Sequence, residues 1–284
     1  MHRMKIKKNL PIGTLFLAAL VLISYLALSS GTPYMTNEGV RALAFSAEKP
    51  VSALTHLFAH VGLQHLIGNL IPLVLFGILL ESALGAMDVL LVFFLSGIIS
   101  AITFSFFNPG TILIGASAGI SGLMSASLFL KPKKALIFLI LLPIAIYLVV
   151  FPALDYASTA YSSQLVSEKA VISQNVSALN QSLQVAIAKN DTQKAGEIRR
   201  AIATNVQVLK TVENKQTITN EGTAREKIIP TDVPVHFYGG LIGALYLFLF
   251  RRKKLEEGKD EFAEIGEKIY DIVGKVKKAI RGRK

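Results

Sequence analysis

The chain contains no cysteine and no tryptophan. Without cysteine there is no disulfide, no thiol nucleophile and no thiolate metal site. Without tryptophan, anchoring at a membrane interface falls to Tyr, Lys and Arg. Charge is also scarce: Asp, Glu, Lys and Arg make up 17% of 284 residues, and the 30 bases outnumber the 19 acids, for a formal net charge of +11. What fills the chain instead is apolar. Hydrophobic residues make up 52% and the mean hydropathy is +0.50, which a soluble domain rarely reaches.

Six runs are long and apolar enough to span a bilayer, each near the roughly 20 residues that a crossing needs. They are Pro11–Ser29, Val61–Leu80, Asp88–Phe107, Ile112–Leu130, Ala135–Ala153 and Val233–Phe250. The first is read as a retained span rather than a cleaved leader, because further spans follow it. Basic clusters flank the spans: Arg3, Lys5, Lys7 and Lys8; Lys131, Lys133 and Lys134; and Arg251 to Lys254. Six crossings put all three clusters on one side, which the positive-inside rule makes cytoplasmic. The excess positive charge therefore needs no nucleic acid; anionic lipid accounts for it. The expected organisation is a basic cytoplasmic N-terminus (1–10), spans one to five (11–153), an outer insert (154–232), span six (233–250) and a basic cytoplasmic tail (251–284). Residues 30–60 read as a polar outer loop, 81–87 as a short inner turn, and Asn108-Pro-Gly-Thr111 as an outer turn.

The insert has helical patterning. Leu165, Ile172, Val176, Leu179, Leu183 and Ala186 form one heptad-like seam; Ala195, Ile198, Ile202, Asn205, Leu209 and Val212 form another. Lys189-Asn190-Asp191 breaks between them, and Asp191 or Thr192 can cap the second helix. The expectation is an antiparallel hairpin of about 35 Å whose seams pair, leaving free faces for a partner or for sugars at the sequons of Asn175, Asn180 and Asn190. It is expected to govern substrate access and leave the chemistry untouched. In the tail, Phe262, Ile265, Ile269, Val273, Val276 and Ile280 recur at helical spacing, as in an amphipathic helix on the inner leaflet.

Polar side chains inside spans mark function. Here they are His60, His65 and Asn69 in span two, Ser117, Ser121 and Ser125 in span four, and His236 and Tyr238 in span six. Counted from the inner ends, Ser117 is 14 residues above Lys131, His236 15 above Arg251, and Asn69 and His65 12 and 16 above Glu81. At 1.5 Å per residue these share one layer roughly 18–24 Å up. No carboxylate lies at that depth, so a Ser117 nucleophile and a His236 base would form a dyad. The Ser117 N–H, the Asn69 amide and the His65 ring are the donors available to an oxyanion. His60 reads as structural. Gly115, Gly119, Gly239 and Gly243 make small faces by which spans four and six can approach, with Gly119 expected to meet Gly239. No residue set calls for a metal or a cofactor.

His60, His65-xxx-Asn69, Gly115-Ala116-Ser117, Gly77-xxx-Glu81-xxx-Gly85 and His236-xx-Gly239-xxx-Gly243 together resemble the rhomboid intramembrane serine proteases. The resemblance implies an all-α, six-span bundle carrying a Ser117–His236 dyad. It implies cleavage of transmembrane helices of single-span or other membrane proteins near their outer ends, with His65 and Asn69 at an oxyanion site. Ala118 stands where the family often has glycine, the Trp-Arg of its outer loop is missing, and the insert and tail have no counterpart. The alternative is a catalytically silent relative that binds or escorts transmembrane segments; retention of both Ser117 and His236 argues against it. A transporter would place its polar groups near the midplane. The expected location is the cell membrane, with both termini cytoplasmic.

Overall fold

The computed structural model describes residues 10–228 and 233–281. The basic cluster at Arg3–Lys8 and the end of the insert at 229–232 lie outside them. Among the described residues the architecture is all-α. α1 (Ile12–Leu28), α4 (Leu63–Leu84), α5 (Ala86–Phe107), α6 (Ser117–Leu130), α7 (Pro132–Ala145) and α10 (Val233–Phe250) form the apolar bundle. Four described helices are long and apolar enough to cross a membrane; α1 and α6 are apolar but shorter. Large side chains such as Phe16, Ile23, Ile140, Leu141, Phe237 and Leu249 project outward. An apolar exterior of that extent needs lipid around it, so this is an integral, multi-pass membrane protein.

Buried around the bundle axis are Leu17, Leu66, Phe76, Val92, Phe93, Leu123 and Leu247. Two carboxylates tie the ends of helices at the face away from Ser117. Glu81 accepts from the Gly13 N–H (3.0 Å), the Thr14 N–H (2.8 Å) and the Thr14 hydroxyl (2.6 Å). It thus caps the start of α1, where N–H groups lack intrahelical partners. A methyl on Gly77 would fall 2.7 Å from Thr14, so glycine is what lets α1 come this close. Gly85, at φ +101°, alone turns α4 into α5, so the inner turn is one residue rather than 81–87. Asp88, buried at the start of α5, accepts from the Tyr246 hydroxyl (2.5 Å) and from Arg251 Nε (2.7 Å) and Nη2 (3.0 Å). Glu81→Ala should lower unfolding free energy by about 2 kcal/mol, the scale of a lost cap plus its charge-assisted bonds; a denaturant titration in detergent reads it.

Three further expectations are corrected. The segment 30–60 is not a loop outside the core: α2 (Asn37–Leu43), α3 (Ser52–Thr55) and a 3-10 turn at His56–Phe58 fold into it. Met35 and Leu57 are fully buried, and a methyl on Gly97 would fall 2.5 Å from Leu57. The fourth apolar run does not become helical at Ile112: Leu113 pairs with Phe45 in an isolated bridge, and α6 starts at Ser117. Irregular backbone at membrane depth survives only where protein covers it, and the folded 30–60 segment supplies that cover. The insert hairpin is also longer than expected. α8 (Phe151–Ala188) and α9 (Thr192–Ile228) have 38 and 37 residues, so each is about 55 Å long.

α8 continues α7 without a loop. Pro143 lies inside α7, and the ladder widens into a π-turn at Ile146–Val150 before α8 begins. In the hairpin, Leu165, Ile172 and Val212 are buried together with Val176 and Leu209 against them. Asp191 caps α9, accepting from the Lys194 N–H at 3.0 Å. The tail forms α11 (Arg252–Arg281). Its first turns dock: Leu255 is buried, and a methyl on Gly258 would fall 2.0 Å from the Phe129 carbonyl oxygen. Farther on, Ile269 and Val273 are exposed; the side chains of Val276 and Ile280 lie outside the described residues.

Candidate active site

Ser117 is the first residue of α6. Its position comes from Gly115, whose φ of +108° is a region that disfavours other residues, and whose N–H donates to the His56 carbonyl at 2.9 Å. That turn delivers the chain into a helix whose opening N–H groups have no intrahelical partner and whose dipole is positive at this end. An oxygen that gains negative charge beside Ser117 meets those donors. Gly115 is constrained a second time: a methyl there would fall 2.6 Å from His65 Nε2. The His65 ring therefore rests on the turn that aims Ser117.

α10 runs parallel to α6 at backbone contact. A methyl on Gly239 would fall 2.2 Å from the Ala118 carbonyl oxygen, and one on Gly243 2.3 Å from that of Gly122. His236 lies three residues before Gly239, on the same face of α10. One turn back from the Gly239–Ala118 contact is the level of Gly115, and Ser117 lies between the two, one residue before Ala118. The expected Gly119–Gly239 contact is not the one formed. Ala118 and Gly122, four residues apart, face α10, whereas Gly119 is turned toward α5 and would strike Phe93 at 2.8 Å if it carried a methyl.

The Asn69 amide donates to the His65 carbonyl of its own helix at 2.8 Å, leaving its second hydrogen for another acceptor. His60 is fully buried, its ring centroid 5.0 Å from that of His65. Neither His60 ring nitrogen, nor His65 Nδ1, has a hydrogen-bond partner among the described residues. Among the described residues no group of three or more His, Cys, Asp or Glu could hold a metal. Below the site, a cavity of about 270 Å³ separates α4 from α7, lined by Gly68, Pro72, Phe76, Met124, Leu142 and Tyr147.

A Rhomboid domain matches residues 47–188, half of the chain. The chain belongs to the rhomboid family. The matched stretch contains His60, His65, Asn69 and Ser117 but ends before α10, so it does not include His236. RHOMBOID-like protein 6, mitochondrial, of Arabidopsis thaliana is 35% identical over 75 residues, covering 26% of this chain and 24% of that protein. Rhomboid-related protein 2 of Mus musculus is 33% identical over 85 residues, 29% of this chain and 28% of the relative. RHOMBOID-like protein 1 of Arabidopsis thaliana is 34% identical over 74 residues, 26% of this chain and 19% of the relative. The chain thus spans about a quarter of the length of the curated rhomboid relatives it matches. No solved structure matches it.

Sequence reasoning missed two parts of this candidate site. One is the cover formed by residues 30–60, whose buried Leu57 sits in a single 3-10 turn and whose buried Met35 sits in irregular backbone, neither with an extended apolar period. The other is Glu226, which reaches the start of α4 from the far end of the insert: the His65 N–H donates to its carboxylate at 3.3 Å. Burial pushes the Glu226 carboxyl up, Asp155 adds to this, and the His65 and Gln64 amides oppose it. Nothing local to a glutamate in a polar helix signals that contact.

Proposed function

We propose that the chain is an intramembrane serine endopeptidase that cuts transmembrane helices near one membrane face. The observation that supports this reading is the glycine-to-carbonyl contact of Gly239 on Ala118, which lies one residue from Ser117 on α6 and three from His236 on α10. In the proposed reaction Ser117 Oγ attacks the scissile carbonyl carbon while the His236 imidazole takes the hydroxyl proton. Charge then builds on the carbonyl oxygen, and the Ser117 N–H, the His65 ring and the free Asn69 amide hydrogen meet it. Collapse of the tetrahedral species breaks the C–N bond, and His236 returns its proton to the departing amine. Water, activated by the same ring, hydrolyses the acyl-enzyme. The reading places the Ser117 end and the insert outside the cell membrane and both termini in the cytoplasm, in keeping with Lys131, Lys133, Lys134 and Arg251–Lys254 at the opposite end.

The test is cleavage of a single-span reporter by the full chain in liposomes, with fluorophosphonate labelling of Ser117 in parallel. Labelling and cleavage that both require Ser117 support the protease; their joint absence in folded protein leaves a rhomboid that only binds transmembrane segments. Within the same assay, a His65→Ala, Asn69→Ala double variant should lose about 10²–10³-fold in kcat with KM little changed. An unaltered kcat would remove both residues from the mechanism.

A further inference from the structure

The insert does not stand apart from the site. The last turns of α9 lie across the 30–60 segment and the start of α4. Glu221 accepts from the Asn37 amide, and a methyl on Gly222 would fall 2.3 Å from the Tyr34 ring. Arg225 donates to the Met35 carbonyl at 3.3 Å. Beside it, Glu226 accepts from the His65 N–H at 3.3 Å, and its carboxylate lies 2.7–2.9 Å from where a methyl on Gly62 would sit. The other leg holds the same region: Gln64 donates to Asp155 at 2.7 Å, and the Tyr161 hydroxyl to the Gly31 carbonyl at 3.0 Å.

Gly62 is the N-cap of α4 and has no side chain with which to bond the helix's opening amides. Those amides favour an acceptor that carries negative charge. Glu226 provides it from 161 residues away. Glu81 does the same for α1, so the fold uses one device twice. The two differ in what the capped helix carries. The third residue of α4 is His65, whose Nε2 packs on Gly115 beside Ser117. The absence of a side chain at Gly62 is explained by the same contact: its extended backbone (φ −156°) suits any residue, but a methyl would displace the carboxylate.

We propose that the insert is a clamp on the active site and that Glu226 is a positioning residue, which caps the start of α4 and so holds His65 against the turn that aims Ser117. The proposal rests on the protease reading for its effect on turnover, and on geometry alone for its effect on α4. It departs from the expectation that the hairpin governs access only.

The experiment uses the full chain in nanodiscs and reads kcat, KM and hydrogen exchange of the α4 amides. Glu226→Ala should lower kcat by about 10- to 100-fold with KM little changed, the effect of a donor displaced by about an ångström. Exchange at 63–66 should quicken by about 5- to 30-fold, the equivalent of a lost charged cap. Glu226→Gln keeps an acceptor oxygen and should fall between Ala and wild type. Gly62→Ala, which evicts the carboxylate without removing it, should slow the wild-type background but not the Glu226→Ala background, where the space is already vacant. Wild-type kcat in Glu226→Ala, or unchanged exchange at 63–66, overturns the proposal, as does a Gly62→Ala loss of equal size in both backgrounds. Failure of Ser117 to label or cleave in the unmutated chain would end the protease reading instead, and the exchange measurements would then decide the clamp on their own.

Discussion

Ser117→Ala should reduce cleavage of a single-span reporter by about 10⁴- to 10⁶-fold, the scale on which loss of a serine nucleophile acts in other serine hydrolases. The folded protein should survive the change. Ser117 follows Ala116 at the N-cap, α6 has no side-chain cap bond, and Ala118 beside it already shows that a methyl is accommodated. Thermal unfolding in detergent should therefore move by no more than the small shift typical of a substitution that leaves cap and core intact. His236→Ala should fall to the same floor, and the double variant no lower, because nucleophile and base act as a unit. Cleavage by Ser117→Ala at the wild-type rate would end the enzyme reading outright.

Gly239→Leu should damage both stability and turnover. A first side-chain carbon at Gly239 already falls 2.2 Å from the Ala118 carbonyl oxygen and 2.9 Å from its carbon. Those atoms are backbone and cannot rotate aside, so α10 has to back away from α6. Overpacking of this kind costs about 1–3 kcal/mol, and more where backbone must shift. An ångström of separation between Ser117 and His236 should cost turnover about 10²-fold. Gly240→Ala is the matched control, since its added methyl would lie 3.8 Å from the Ser121 carbonyl oxygen and the Ser125 side chain. The paired melting temperatures and kcat values decide it. A fully active Gly239→Leu would mean that α6 and α10 meet by another face.

Some of this architecture could be read from residue order because the bilayer imposes a one-dimensional rule. An apolar run of about 20 residues has few alternatives to a spanning helix. Counting residues along helices is also what suggests one depth for Ser117, His236, His65 and Asn69, the expectation on which the proposed dyad rests. The hairpin turn at 189–191 was marked by its polar break, and Asp191 caps α9 there. What counting could not supply was rotation about each helix axis. Gly119 and Ala118 are neighbours in sequence, yet one faces Phe93 and the other Gly239. Nor could period-based reading reach the 30–60 segment, where Tyr34 pairs with Gly62 and Phe45 with Leu113 through isolated bridges. Glu226 lay beyond reach for a related reason. Its partner is an amide row at the start of α4, and amides carry no mark in a sequence of side chains.

From Pro132 to Ala188 the chain is continuous helix, 57 residues and about 85 Å from end to end. The hydrocarbon slab around such a rod is about 30 Å thick, so roughly 50 Å of it stands proud of the slab. A stiff mast stepped in a fluid sheet amplifies angle into reach. A tilt of about 10° in its apolar foot sweeps the tip sideways by about 10 Å, given that length. Leverage runs the other way as well: a push on the tip returns to the foot as torque, where Phe151 leans on Gly68 of α4. A bulky folded domain standing on a membrane segment engaged near Ser117 has to share the space that the mast sweeps. The mast thus fills the space beside the Ser117 end of the bundle to a height well above the bilayer.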